Sequence, residues 1–348
     1  MINPARDQLV GLQQLRFIAA LLVLIHHVLE ELHASPLVML PKFITTVGAC
    51  GVDIFFVISG YVMWHSTRGF SPEVTAGDFM RRRIRRIFPI YWSFLCLILL
   101  LWSSGLAFRS LEYSLPRFLS SIFLLPGIAR EEPMVMGVAW TLVYEMYFYA
   151  LCSLTLLFPR VRWRPACIAV LMLGVPALAG LAGLQHAQAW YSSPLIIEFG
   201  FGLLLGASGL RIPLAWRPAL LTLAGLCFLF ATRLFGGEYT GGLADTYRWW
   251  TWGLPALLVV ACSLSGSFCE GRAGAWLSRM GDASYTLYLS HAFVMIALAR
   301  LLKSGGGEQL TVVILGGSLS VIAACFFAAL LYFWLEQPLT RQLHARRR

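Results

Sequence analysis

Charged residues are scarce in this chain of 348 amino acids, since Asp, Glu, Lys and Arg together make up only 13% of it. A soluble domain carries roughly twice that fraction, so the composition excludes a soluble protein. Hydrophobic residues make up 58% of the chain and are gathered in runs long enough to cross a bilayer. The sequence therefore predicts an all-α, polytopic membrane protein.

The eight cysteines show no spacing that is typical of a metal site or of a disulfide framework. No CxxC motif or Cys/His arrangement occurs, and most of the cysteines lie in apolar runs, where buried free thiols are expected. We therefore predict no bound metal. Internal repeats, low-complexity segments and long polar loops are also missing, which predicts a single transmembrane domain over residues 1–348 with no soluble domain.

Ten apolar segments are long enough to span a membrane. They cover residues 14–33, 43–64, 87–106, 135–158, 166–185, 192–210, 219–236, 248–267, 282–302 and 310–335. The run 118–128 is too short to cross and is predicted to be amphipathic or re-entrant. No cleavable signal precedes the first segment, so we expect that segment to be retained as a membrane helix.

Basic clusters define the expected topology. The clusters at 81–86 and 160–165 and the C-terminal tail all fall on one side when the N-terminus is inside, as the positive-inside rule requires. We therefore predict a bundle of about ten helices with both termini in the cytoplasm. The net charge of +10 is explained by cytoplasmic loops and contacts with membrane lipids, and we predict no nucleic-acid partner.

The first span carries Arg16 and the pair His26-His27 in an otherwise apolar run. Ionisable residues inside a membrane helix are rare and usually functional. At about 100° per residue, Arg16 and His27 lie within roughly 20° of one face and about 16 Å apart along the axis, whereas His26 is turned about 80° away. An interfacial arginine and a structurally satisfied histidine are the simpler alternative.

Further ionisable residues accompany this pair. Asp53 and Glu145 are intramembrane carboxylates that could orient a histidine or simply form ion pairs. Arg83 and Arg86 are neighbours on a helix that leads into the third span. Arginine suits phosphate recognition, so with Arg16 they could bind a phosphorylated cofactor, although topology and lipid contacts explain them equally well.

Two polar and aromatic stretches could contact a substrate. Trp140 and Tyr144 precede Glu145, and aromatic rings beside a carboxylate are typical of a sugar-binding surface. An interfacial aromatic belt is the alternative. In the ninth span, Tyr288 and His291 lie on one polar stripe, although a lone histidine on an apolar helix is more often structural.

In combination, several motifs resemble the membrane-bound acyltransferase 3 family, which includes bacterial O-acetyltransferases of surface polysaccharides and exopolysaccharides. The matching stretches are LRFIAALLVLIHH, GVDIFFVISGYVM, RRRIRRIFPIYW, AWTLVYEMYFY, EFGFGLLLG, SYTLYLSH and LEQPLTR. The resemblance implies an essential pair Arg16 and His27, an Arg-x-x-Arg element at Arg83 and Arg86, and an acyl-CoA donor. Two departures are Met146, where many relatives have a second acid, and the additional His26.

These observations predict an O-acetyltransferase of the inner membrane that moves an acyl group, acetyl first, from cytoplasmic acyl-CoA to a carbohydrate hydroxyl. The acceptor could be free or lipid-linked. His27 would act as base or as acyl carrier, with Asp53 or Glu145 orienting it. The donor would be held by Arg16, Arg83 and Arg86, and the acceptor by Trp140, Tyr144, Tyr288 and His291. A proton-coupled transporter or flippase for a glycan is the alternative, since it would also use intramembrane ionisable residues.

Overall fold

The structure is a computed structural model that describes most of the chain. The described residues are 4–33, 35, 37–67, 69–106, 108, 114–125, 134–158, 160, 163–234, 245–304 and 309–345. Parts of four predicted segments lie outside them, namely residues 126–128, 161–162, 235–236 and 346–348. Throughout the described residues the regular secondary structure is helical and no strand occurs, which agrees with the predicted all-α class.

The helices are numbered in chain order within the described part of the chain. They are α1 Pro4–His33, α2 Lys42–Thr46, α3 Gly51–Ser66, α4 Ala76–Ser103, α5 Leu115–Phe123, α6 Trp140–Leu156, α7 Arg164–Leu181, α8 Gln185–Tyr191, α9 Ile196–Ser208, α10 Arg217–Leu234, α11 Asp245–Thr251, α12 Gly253–Ser263, α13 Gly271–Asp282, α14 Ser284–Lys303, α15 Leu310–Leu331 and α16 Gln337–Ala345. A 3₁₀ turn, Val47–Cys50, joins α2 to α3, and a π-helical turn, Tyr332–Glu336, joins α15 to α16.

The described parts of all ten predicted spans overlap these helices, and eight helical segments in the described residues are long and apolar enough to cross a membrane. The two that fall short are the fourth and the eighth. The fourth corresponds to α6, which has 17 residues, and the eighth is divided between α11 and α12 at Trp252. The protein is therefore a helical membrane protein, while the count of ten spans and their topology stay predictions. The run near 118–128 forms the nine-residue α5.

The chain divides into two compact units, and the first contains residues 1–61 and 197–334. Its central element is α1, which packs on α13, α14 and α15. The shared core consists of buried side chains from these four helices: Phe17, Ala20, Leu24, Val28, Met280, Leu287, Leu298, Ala324 and Ala328. Because lipid tails are as apolar as these side chains, close van der Waals packing, rather than transfer from water, holds α1 in place.

Close backbone approaches bring further elements of the first unit against one another. A Cβ atom on Gly48 would collide with the carbonyl oxygen of Leu22 in α1, so only glycine permits this contact. Between α3 and α9, a Cβ on Gly60 would collide with the Phe199 carbonyl oxygen, and one on Gly202 would collide with that of Val57. Small residues allow such approach of membrane helices.

The second unit contains residues 62–196 and 335–348. Its longest helix, α4, starts at an N-cap in which the Thr75 hydroxyl accepts a bond from the Asp78 backbone N–H. This cap satisfies a free donor of the first turn. The arginine cluster 81–86 is part of α4 and continues without a break into the apolar run, as predicted. Further along α4, the Tyr91 hydroxyl donates a hydrogen bond of 2.6 Å to the Ser121 carbonyl of α5.

Candidate active site

A single unbroken helix, α1, carries both Arg16 and His27. Eleven residues of α-helix correspond to about 16 Å and bring the two side chains to nearly the same face. Both are partly exposed, in contrast to the apolar side chains between them that face the core. The Arg16 guanidinium donates from Nη1 to the Gln13 side-chain oxygen at 3.0 Å, which holds it along the helix.

The register of α1 is set near Arg16 by Gln14, whose amide is completely buried. Its nitrogen donates to the carbonyl oxygens of Cys269 at 2.8 Å and Gly274 at 3.1 Å. Its oxygen accepts from the backbone N–H groups of Phe268 and Cys269. A buried amide must keep its hydrogen bonds, so these four bonds fix the position of Gln14. Sliding or rotating α1 would break them.

The two adjacent histidines have different surroundings. His26 is buried against the 42–50 segment, and its Nδ1 lies 2.5 Å from the Thr45 carbonyl oxygen. His27 is partly exposed and faces α14, where its ring stacks on the ring of His291 with centroids 5.2 Å apart. The 100° step between neighbouring helical residues produces this division.

Glu30 lies one turn after the histidines and contacts both. The same carboxylate oxygen, Oε2, lies 3.1 Å from His27 Nδ1 and 3.4 Å from His26 Nε2. A carboxylate can only accept, so His27 donates its Nδ1 proton to Glu30. That bond leaves the Nε2 atom of His27 with a lone pair, which is the form that a general base or a nucleophile requires.

Two predicted substrate residues lie beside His27 in the same unit. The ring of His291, which is buried, is nearly parallel to that of His27, with an interplanar angle of 20°. The ring of Tyr288 packs on that of His291, with ring centroids 5.9 Å apart. The His291 Nδ1 lies 3.3 Å from the Leu287 carbonyl oxygen. The structure thus brings His27, His291 and Tyr288 together.

Asp53, for which the sequence left open a role in orienting a histidine or in an ion pair, is bonded to Arg248. Its two oxygens accept from Arg248 Nε and Nη2, both at 2.9 Å, and both side chains are buried. Arg248 also lies over the Trp252 ring, 5.0 Å from its centroid. A paired, bidentate guanidinium is what a buried carboxylate needs. These contacts make Asp53 part of a buried ion pair, the second of the two roles that the sequence allowed for it.

The predicted pair Arg83 and Arg86 lies in the second unit, and the two side chains differ in solvent exposure. Arg83 is buried, with its guanidinium over the rings of Phe79 and Tyr149 at 5.4 and 5.3 Å from their centroids. Its Nε has no hydrogen-bond partner among the described residues. Arg86 is exposed. Of the two, Arg86 has the accessibility that a soluble phosphate ligand requires.

Glu145 and the aromatic residues before it also belong to the second unit. The Tyr149 hydroxyl donates to the Glu145 carboxylate in a short hydrogen bond. Tyr144 packs against Trp140 at 5.9 Å and against Trp190 at 5.3 Å between ring centroids. These contacts join α6 to α8, so Tyr144 is part of an aromatic cluster, while Trp140 keeps a partly exposed ring that could face a sugar.

Sequence reasoning missed two residues. Glu30 follows the histidines at i+3 and i+4, a spacing that places side chains together on a helix, so HHxxE in α1 was a usable signal. Arg248 had no local signal, because it lies 195 residues from Asp53. The donor set around Glu30 also has metal-binding character: ligand atoms of His26, His27 and Glu30 all lie within 4.8 Å of one another.

The protein is a helical membrane protein in which a carboxylate orients a histidine on a partly exposed helix face. A histidine held in this way is suited to acyl transfer, as a base or as a nucleophile. Residues 9–333 match the acyltransferase domain of the acyltransferase 3 family. The chain belongs to this family and is an acyltransferase, which argues against the transporter alternative. The match covers nearly the whole chain, in agreement with the resemblance of its motifs.

Three relatives match over most of this chain. The exopolysaccharide production protein ExoZ of Rhizobium meliloti is 35% identical, over 87% of this chain and 92% of the relative. The acyltransferase MdmB of Streptomyces mycarofaciens is 26% identical, over 99% and 95%. YrhL of Bacillus subtilis, provisionally named a peptidoglycan O-acetyltransferase, is 25% identical over 85% of this chain and 51% of the relative. No solved structure matches the chain significantly.

Proposed function

We propose that the protein transfers an acetyl group from cytoplasmic acetyl-CoA to a hydroxyl group of a surface or exported carbohydrate at the inner membrane. The observation that carries the chemistry is the bond from His27 Nδ1 to Glu30, which leaves a basic nitrogen on an accessible helix face. The names of two relatives, one in exopolysaccharide production and one in peptidoglycan O-acetylation, support the carbohydrate acceptor.

His27 acts as the general base in this proposal. Its Nε2 takes the proton of the acceptor hydroxyl as the oxygen attacks the thioester carbonyl carbon. The carbon–sulfur bond of the thioester then breaks, an ester forms, and the Nε2 proton passes to the departing CoA thiolate. Glu30 stabilises the transient positive charge on the imidazole and keeps the ring in the required tautomer, as the carboxylate of a catalytic triad does.

Arg16 contacts the anionic part of the donor in this proposal. It lies on the His27 face of α1, about 16 Å away along the helix. Coenzyme A carries phosphates at one end of a long arm and the thioester at the other, so a cation and a base that share one helix face fit its two ends. Within the first unit, Tyr288 and His291, which lie beside His27, are assigned to the acceptor. Arg86 and Trp140 belong to the second unit and remain sequence predictions for phosphate binding and sugar binding.

The test uses the full-length protein, purified without an affinity tag and placed in lipid nanodiscs. Acetyl-CoA labelled in the acetyl group is incubated with polysaccharide isolated from cells that carry the gene. We expect label in the polysaccharide as an ester that mild alkali releases, and none with His27→Ala. Absence of label in every carbohydrate fraction, with acetyl-CoA unchanged, would refute the proposal. Label retained on the enzyme without acceptor would identify the acyl-histidine route instead of direct attack.

A further inference from the structure

The contact between His26 and Glu30 brings two hydrogen-bond acceptors close together. A carbonyl oxygen can only accept, so the 2.5 Å contact with Thr45 assigns the His26 proton to Nδ1. In the neutral ring, Nε2 is then a lone-pair acceptor, and it faces Glu30 Oε2 at 3.4 Å. Two acceptors this close repel each other unless a cation, a proton or the hydrogen atoms of a water molecule lie between them.

We propose that His26, His27 and Glu30 form a binding site for a divalent transition-metal ion, with Zn²⁺ as the best-matched ion. The site shares His27 and Glu30 with the catalytic machinery proposed above and adds His26, which the mechanism does not use. Two imidazoles and one carboxylate are a donor set that zinc accepts, and three protein ligands leave its fourth position open for water. Imidazole ligands favour zinc, copper and nickel over magnesium and calcium.

The distances fit this ion with little rearrangement. Zinc–nitrogen and zinc–oxygen bonds of about 2.0–2.2 Å in a tetrahedron place neighbouring donor atoms roughly 3.3 Å apart. The two contacts of Glu30 Oε2, at 3.4 Å to His26 Nε2 and 3.1 Å to His27 Nδ1, are close to this value. All three donor atoms lie within 4.8 Å of one another, so a small rotation of the rings completes the site.

The surroundings of His26 match those of a metal ligand. A metal-bound histidine almost always donates its second ring N–H to a carbonyl or carboxylate, which orients the ring and fixes the tautomer. His26 Nδ1 makes this bond to the Thr45 carbonyl. The backbone of Gly48 packs so closely on His26 that a Cβ atom added to this glycine would lie 3.0 Å from the His26 Cβ atom. These contacts hold the His26 ring with its Nε2 atom 3.4 Å from Glu30 Oε2, so the rotation that completes the site is mainly that of the partly exposed His27 ring.

Occupation of the site would inhibit acyl transfer, a consequence that rests on the proposed function. Three coordinate bonds form, and the hydrogen bond from His27 Nδ1 to Glu30 breaks. The imidazole proton of His27 moves from Nδ1 to Nε2 through solvent, so no net proton is released. The charge of the cluster rises from −1 to +1. His27 then has no lone pair on Nε2 and cannot act as the base.

The experiment measures metal binding and activity separately on the tag-free, full-length protein in nanodiscs. Zn²⁺ binding is followed by calorimetry, and Co²⁺ replaces it as a spectroscopic probe of the coordination geometry. We expect one saturable site, weakened at least tenfold by His26→Ala and by Glu30→Gln. Matched controls on the same helix are His33→Ala and Glu31→Gln, which should bind as the wild type does.

The possible outcomes distinguish a failure of the metal site from a failure of the proposed acyl-transfer function. Absence of a saturable Zn²⁺ site, or equal binding by wild type and His26→Ala, would overturn the metal site and leave a proton or a water molecule as the link between His26 and Glu30. Label transfer in the metal-free protein would remain unaffected by that result. Zn²⁺ bound at one equivalent without loss of transfer would leave the site standing and refute the role of His27 Nε2 as base.

Discussion

The carboxylate of Asp53 and the guanidinium of Arg248 form two hydrogen bonds of 2.9 Å within the first unit, and both side chains are buried. Removing one partner would leave the other charge buried and unpaired, at a cost of about 3–5 kcal/mol. We therefore expect Asp53→Ala and Arg248→Ala to lower the thermal unfolding midpoint in detergent strongly. The double variant Asp53→Leu/Arg248→Met should be close to the wild type in stability and retain acyl transfer, which a catalytic Asp53 would not allow.

The two adjacent histidines allow a sharp comparison. His27→Ala should reduce acyl transfer by about 10²–10⁴-fold, the usual contribution of a general base, with normal expression and acetyl-CoA binding. His26→Ala removes a buried ring that contacts Thr45 and should lower stability while substantial activity remains. Transfer is measured at matched membrane levels of both variants. Full activity of His27→Ala, or a loss confined to His26→Ala, would contradict the assignment of the helix face.

Glu30 should affect the rate constant rather than donor affinity. Glu30→Gln keeps the shape of the side chain but can present its amide nitrogen to His27, which disturbs the tautomer and ring position. A misplacement of about 1 Å can cost roughly 10²-fold in rate, so kcat should fall while KM for acetyl-CoA changes little. Glu30→Asp should recover part of the activity, because the carboxylate is retained. Glu31→Gln is the control, and an equal loss there would indicate a general helix effect.

Arg83 and Arg86 should give opposite results. Arg86→Ala removes an exposed charge, and loss of one charge-assisted hydrogen bond of about 1.5–3 kcal/mol should raise KM for acetyl-CoA at least tenfold. Arg83→Ala removes a guanidinium that lies over Phe79 and Tyr149, a desolvated contact of about 2 kcal/mol, and should lower stability. Donor titrations and thermal unfolding distinguish the two effects. A normal KM in Arg86→Ala would restrict this residue to a role in topology.

Membrane topology provides a further test that does not depend on catalysis. The basic clusters at 81–86 and 160–165 should lie in the cytoplasm together with both termini, because translocating them opposes the positive-inside rule. Reporter fusions after Arg160 and at the C-terminus should report a cytoplasmic location. An external signal from either fusion would invalidate the expected direction of transfer, from a cytoplasmic donor to an exported acceptor.

Local patterns in the sequence were sufficient for several features of the structure. The apolar runs predicted the helices, because a segment in lipid must satisfy its own backbone. The period of 3.6 residues predicted the shared face of Arg16 and His27 and the different direction of His26. Each of these features depends on residues within a few helical turns.

Partners distant in the sequence were decided by the tertiary structure alone. Asp53 pairs with Arg248, and Gln14 with Cys269 and Gly274, across separations of 195, 255 and 260 residues. The stacking of His27 on His291 has the same origin. Any buried acid needs a cation, but the choice among the chain's many arginines depends on which helices pack together. Local sequence patterns do not specify which helices pack together. The sequence therefore determined the helices and their polar faces, whereas the tertiary structure determined which faces are in contact.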